Sequence, residues 1–133
     1  MADETLAIDL SDDERQLLAY GLRGWGGPAQ PSDPVARAVG FDSVDDLLAR
    51  GRVIEGAVER GEPLTPADWA RALVATEIAF ASNYYGSGWD WSITTGWDDA
   101  TTIGRLRELQ RKLAYVCAKR PIHPVTGPSR RPQ

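Results

Sequence analysis

The stretch TPADWARALVATEIAFASNYYGSG, residues 65–88, decides the fold. Thr65 followed by Pro66 and Asp68 is a helix start. It places a hydroxyl to accept a first-turn N–H, a proline where a missing N–H costs nothing, and an acid at the positive end of the helix dipole. From Pro66 to about Tyr85 the run carries Trp69, Leu73, Val74, Ile78, Phe80 and alanines at positions 67, 70, 72, 75 and 79. Such a helix is apolar nearly all round and has to be buried by its neighbours. The reading predicts a central helix, stopped by Gly86-Ser87-Gly88, with the rest of the chain arranged around it.

Working outward, Ser11-Asp12-Asp13-Glu14 is a capping box. It opens a helix with Leu17, Leu18, Tyr20 and Leu22 that ends at Gly24-Trp25-Gly26-Gly27-Pro28. Asp33 reads as the cap of a short helix with Pro34 at its first position and Gly40 as its stop. Ser43 starts another, carrying Val44, Leu47, Leu48, Ile54 and Val58, although Gly51 and Gly56 argue against one straight rod. A last helix, from Thr95 or Asp98 to about Ala118, sets Ile103, Leu106, Leu109, Leu113 and Val116 on one face. No strand-like alternation is read. The predicted class is all-α: a compact bundle of four long helices plus one short helix, with a long Trp-rich loop before the last. Residues 1–10 are expected to form an N-terminal arm, 11–118 the helical domain and 119–133 a basic, Pro-rich disordered tail.

Composition narrows the chemistry. A chain of 133 residues with 42% hydrophobic and 26% charged residues suits one folded domain with a modest core. The net charge of −4 is unevenly spread. Residues 1–66 hold 13 acids and 6 bases, net −7; residues 67–118 hold 6 and 5, net −1; residues 119–133 hold 4 bases and no acid, net +4. An acidic balance argues against a dedicated binder of nucleic acid or anionic membrane. A single cysteine excludes an intrachain disulfide, and a single histidine excludes most metal sites and catalytic triads. No run approaches the roughly 18 apolar residues needed to span a bilayer. The N-terminal MADETLAIDL lacks the basic segment and apolar run of a signal peptide, so a cytoplasmic setting is expected.

Individual motifs fail for physical reasons. Residues 34–48, PVARAVGFDSVDDLL, have the outline of a helix-turn-helix, yet phosphates would repel Asp42, Asp45 and Asp46 at the start of the recognition helix. Gly21, Gly24, Gly26 and Gly27 follow a helix rather than a strand and lack the Lys-Ser or Lys-Thr of a phosphate loop. Asp90, Ser92 and Thr94 imitate the first calcium ligands of an EF-hand, but Thr95 and Thr101 stand where glycine and a carboxylate are needed. Ser87 lacks the spacing of a nucleophile elbow. His123 lies in the tail, and Cys117 reads as a small core residue. No catalytic set, metal ligands or cofactor is expected. Arg105, Arg107, Arg111 and Lys112 read as a solvated face, with a patch for an acidic partner as the alternative.

Two features remain. Glu77 falls on the Leu73, Phe80 and Tyr84 stripe, and a carboxylate there has to be paired or hydrogen-bonded. Candidate partners are Arg105, Arg107, a tryptophan N–H and the amides of the 86–96 loop. The clasp this forms, holding loop to bundle, competes with a general base or ligand-orienting acid, and with a rotated helix that simply exposes Glu77. The second feature is GSGWDWSITTGW, residues 86–97, entered through Tyr84 and Tyr85 and bringing Trp89, Trp91 and Trp97 beside Asp90. It reads as a plug closing one end of the bundle, an exposed patch for a protein partner, or the wall of a small-molecule pocket.

The expected function is a non-enzymatic, cytoplasmic protein-interaction module, a stoichiometric binder or inhibitor of a basic protein partner. The candidate contact residues are Glu77, Tyr84, Tyr85, Trp89, Asp90, Trp91 and Trp97. The alternatives are a small-ligand binder or carboxylate-dependent enzyme with a pocket at the Trp-rich loop, and a nucleic-acid-associated regulator acting through the last helix and tail.

Overall fold

Every long helix begins at a side-chain cap written in the sequence. The computed structural model describes residues 4–26, 31–82, 85–86 and 88–119, without the side chains of Trp89 and residues 115–119. Helix α1 (Asp12–Arg23) opens on the reciprocal box: Glu14 N–H donates to Ser11 Oγ at 3.1 Å and Ser11 N–H to Glu14 Oε1 at 2.8 Å. Helix α2 (Asp33–Val39) is capped by Ser32, not Asp33, and Pro34 takes the second helical position. The Asp33 carboxylate is engaged elsewhere, accepting Val44 N–H at 2.9 Å and tying α2 to the next helix. Helix α3 (Val44–Glu59) starts at Ser43 and runs unbroken through Gly51 and Gly56. Helix α4 (Pro66–Ala81) starts at Thr65, whose hydroxyl accepts Asp68 N–H.

Two boundaries differ from expectation. Helix α4 stops at Ala81, short of Tyr85, because the chain folds back over its C-terminus. Gly86 passes so close there that a Cβ on it would fall on the Ile78 carbonyl oxygen and 2.6 Å from that of Ala79. The segment expected as a loop is helical for most of its length: a 3-10 turn, Gly88–Asp90, then α5 (Trp91–Thr95). Helix α6 (Asp99–Lys119) follows, with the Asp98 carboxylate accepting Thr101 N–H at 2.7 Å. About 75% of the described chain is helical, in six helices that pack together. Among the described residues there is no strand, and no helix is long and apolar enough to cross a membrane.

Helix α4 shares the centre with α1. Helix α3 lies against α1, α6 against both α4 and α1, and α2 over α3 and α4. The core holds Leu17, Leu18 and Leu22 of α1, Leu47, Ile54 and Val58 of α3, Trp69 and Leu73 of α4, and Leu109 and Leu113 of α6. The crossing of α1 on α4 is made at Gly21, where backbone meets the Thr76 side chain directly. Three indoles are fully buried, and each donates its N–H: Trp25 to Ala75 O, Trp69 to Leu6 O and Trp91 to Thr102 Oγ1. That satisfies the polar edge of a side chain whose area otherwise favours burial.

Residues 4–10 lie against this body. Leu6 pairs with Leu64 in a single antiparallel bridge, Leu6 and Ile8 are half-buried, and Leu10 is buried. The alternation in Leu6-Ala7-Ile8-Asp9-Leu10 is the period-two signal missing from the sequence reading, too short to make a sheet. The segment 120–133, including His123, lies outside the described residues, as do Tyr84, Ser87 and the side chains of Val116 and Cys117.

Candidate functional site

The tryptophan segment is clamped between α4, α1 and α6. Trp91, 1% exposed, meets the Phe80 ring edge-on at 5.4 Å, and its indole N–H reaches Thr102 Oγ1 at 2.9 Å. Thr102 donates onward to the Asp98 carbonyl, so the bond ties α5 to the first turn of α6. Trp97 is half-buried, edge-on to Tyr20 of α1 at 5.6 Å, with the Arg105 guanidinium 4.6 Å over its ring. Arg105 in turn pairs with Asp13 at 3.0 Å. Trp91 and Trp97 thus close this end of the bundle. The Trp89 backbone lies in the 3-10 turn.

What this closure leaves outside is aliphatic. Ile93, two residues from Trp91, projects from the opposite side of α5 and is 82% exposed. Ile103 is 49% exposed rather than on the core face of α6. Among the described side chains of that helix the buried ones are Thr102, Leu106, Leu109 and Leu113, and 100° per residue carries Ile103 about a quarter-turn away from them. Tyr85 is also exposed, and Asp90, Asp98 and Asp99 are exposed around the same end. Asp90 precedes α5 without capping it. The Asp98 carboxyl is held below its ordinary value by the Thr101 N–H and then by the Thr101 hydroxyl. Sequence reading missed Ile93; the only signal was its half-turn offset from Trp91.

Glu77 is half-buried instead of inward-facing, and its partner is none of those expected. Its Oε2 accepts Gln110 Nε2 at 2.7 Å, and Gln110 Oε1 accepts Arg107 at 2.8 Å, so the carboxylate clasps α4 to α6. The fully buried polar side chain on α4 is its neighbour Thr76, bonded to Ala72 O. Among the described residues the buried acid is Glu14, 5% exposed. Lys112 Nζ donates to Glu14 Oε1 and to Asp9 O, each at 2.7 Å. Burial pushes the Glu14 carboxyl up, but the bonds from the Lys112 ammonium and the Ser11 amide outweigh it and hold it below the ordinary value.

Folding therefore spends much of the acidic first half internally. Glu55 and Glu59 flank Arg23, Asp13 meets Arg105, Glu14 meets Lys112 and Glu62 meets Arg60. Acids with no ion-pair partner among the described residues include Asp42 and Asp45 before and within α3, and Asp90 and Asp99 beside α5. The fold and site define an all-helical bundle whose Trp-built end carries an apolar, acid-rimmed surface. Compared with known protein families, curated proteins and solved structures, the chain finds no match.

Proposed function

We propose that this protein is a non-enzymatic interaction module, a stoichiometric binder or inhibitor of a basic protein partner, and that it engages that partner at the α5 end. The observation that carries the reading is Ile93, 82% exposed on a helix anchored from behind by a 1% exposed Trp91. A large aliphatic side chain left in water on an anchored helix, with Ile103 and Tyr85 also exposed, is the apolar centre of a contact that loses little conformational freedom on binding. Asp90, Asp98 and Asp99 around it supply a polar, negative rim that steers a basic partner and rejects acidic ones. A cytoplasmic setting belongs to the same reading and is supported by the single cysteine. Trp91 and Trp97 act as anchors beneath the contact, and the isoleucines make it.

The test is capture from native lysate at low salt, with wild type beside the double variant Ile93→Glu, Ile103→Glu. Both sites are exposed, so the variant keeps its helical circular dichroism. A basic protein retained by wild type, lost with the variant and released by salt is the expected result. Failure to recover a partner, or equal recovery by the variant, overturns the reading.

A further inference from the structure

The N-terminal segment borders a groove whose main-chain chemistry is left open. Leu6 and Leu64 exchange both bonds of their bridge, Leu6 N–H to Leu64 O at 2.7 Å and Leu64 N–H to Leu6 O at 3.1 Å. In an antiparallel ladder the N–H and C=O of every second residue reach the same side, so the next pair would set Ile8 against Glu62. Glu62 N–H instead turns to Ala57 O at 2.9 Å, closing the end of α3, and the ladder stops after one step. Among the described residues none bonds the N–H or C=O of Ile8. Beside that edge is a cavity of about 330 Å³, bordered by Ile8, Leu10, Gly61 and Glu62 with buried Val58 and Trp69. The volume falls at the lower end of the range of ligand sites, about 300–1,000 Å³. Of the charged groups on its rim, Arg15 is matched by Asp12 and Glu62 by Arg60. The carboxylate of Asp9 is exposed and has no ion-pair partner among the described residues, so the unmatched charge is negative.

We infer that this groove takes a short extended peptide with a basic residue, added as a strand on Ile8. Strand addition draws affinity from main-chain hydrogen bonds and specificity from pockets for alternate side chains. The first is offered by the unpaired Ile8 amide and carbonyl, the second by the apolar wall that exposed Ala7 and half-buried Ile8 give the groove. Opposite Asp9 the peptide carries lysine or arginine. The site shares no residue with the α5 surface and does not depend on it.

The experiment titrates the full chain with a blocked Lys-Val-Thr-Val-Lys peptide and follows amide signals by nuclear magnetic resonance. The signals of Ala7 to Asp9 and Gly61 to Glu62 shift, and Ile8 N–H exchange with solvent slows by about tenfold or more at saturation. The same peptide methylated at alternate backbone nitrogens binds at least about tenfold more weakly, since its side chains are unchanged and only the donors are lost. Asp9→Asn weakens binding several-fold and flattens its salt dependence. Equal binding by the methylated peptide, shifts confined to other surfaces, or no shift at millimolar peptide would each overturn the inference. The Ile93 and Ile103 signals report the α5 surface separately, so failure at one site is distinguishable from failure at the other.

Discussion

Substitution of Gly21 by alanine should destabilise the fold, while the same change at Gly51 should not. Both glycines lie inside helices, where replacing glycine by alanine gains about 0.8–1 kcal/mol of helix propensity. Their surroundings differ. A Cβ on Gly21 falls on Thr76 Oγ1 and lies 2.5 Å from Thr76 Cα and Cβ; a Cβ on Gly51 meets nothing within 4 Å. Carbon atoms at rest sit about 3.5–4.0 Å apart, so α1 and α4 must part by about 1 Å at their crossing. No rotamer change avoids this, because one of the atoms met is backbone. Overpacking of this kind costs about 1–3 kcal/mol and more when helices move, and a gap of 0.5–1 Å forfeits a quarter to a half of each contact it opens. After the propensity gain, Gly21→Ala should lose about 2 kcal/mol and Gly51→Ala should gain up to about 0.8 kcal/mol. Urea unfolding followed by circular dichroism at equal slopes reads the difference. With about 1–3 kcal/mol per molar urea, the Gly21→Ala midpoint falls by about 1 M and the Gly51→Ala midpoint rises slightly. A Gly21→Ala midpoint at or above wild type would refute the direct crossing of α1 on α4.

Trp91→Phe keeps most of the ring contact with Phe80 but removes the donor to Thr102, and should cost about 1–3 kcal/mol. Combining it with Thr102→Val removes both polar partners and should recover part of that loss; a double variant as unstable as the sum of the singles would show that the hydrogen bond is not the link. The pH dependence of stability should carry a contribution from Glu14. Its carboxyl titrates below the unfolded value when folded, so its stabilisation is complete above the ordinary carboxylate range. That stabilisation is lost as pH falls from there through the folded value. Urea midpoints measured from pH 7 downward should fall less steeply in Glu14→Gln than in wild type, with Asp98, shifted the same way, supplying part of the slope left; parallel curves would remove Glu14 from the account.

Legibility followed range. The starts at Ser11, Ser43 and Thr65, with Asp98 as one of two candidates for the last helix, could be read because each cap joins a side chain to an N–H three residues on. Asp33 misled because its carboxylate reaches 11 residues forward, leaving the cap to Ser32. At Glu77 the helical wheel placed the stripe only roughly, and a small rotation put Thr76 in the core and Glu77 on Gln110. Glu14 was legible as half of a capping box, but its second partner, Lys112, is 98 residues away. The tryptophan segment was picked out by composition, yet composition does not separate the ring that plugs from the isoleucine that protrudes.

The sequence by itself determined the all-helical class, the first turns of the long helices and the chain segment worth inspecting. Those rest on interactions three or four residues apart, on proline's missing donor and on the apolar content of α4. Only the tertiary structure decided that α1 shares the centre, that Asp13 and Glu14 of the acidic first half meet Arg105 and Lys112 of the last helix, and that Ile93 and Ile103 stay in water. These depend on how the helices cross and rotate, which is set where Gly21 meets Thr76 and where Trp91 bonds Thr102. Neither contact leaves a mark on its own stretch of chain: the first exists only after two distant helices have met, and the second only once the neighbouring helices α5 and α6 have taken their angle.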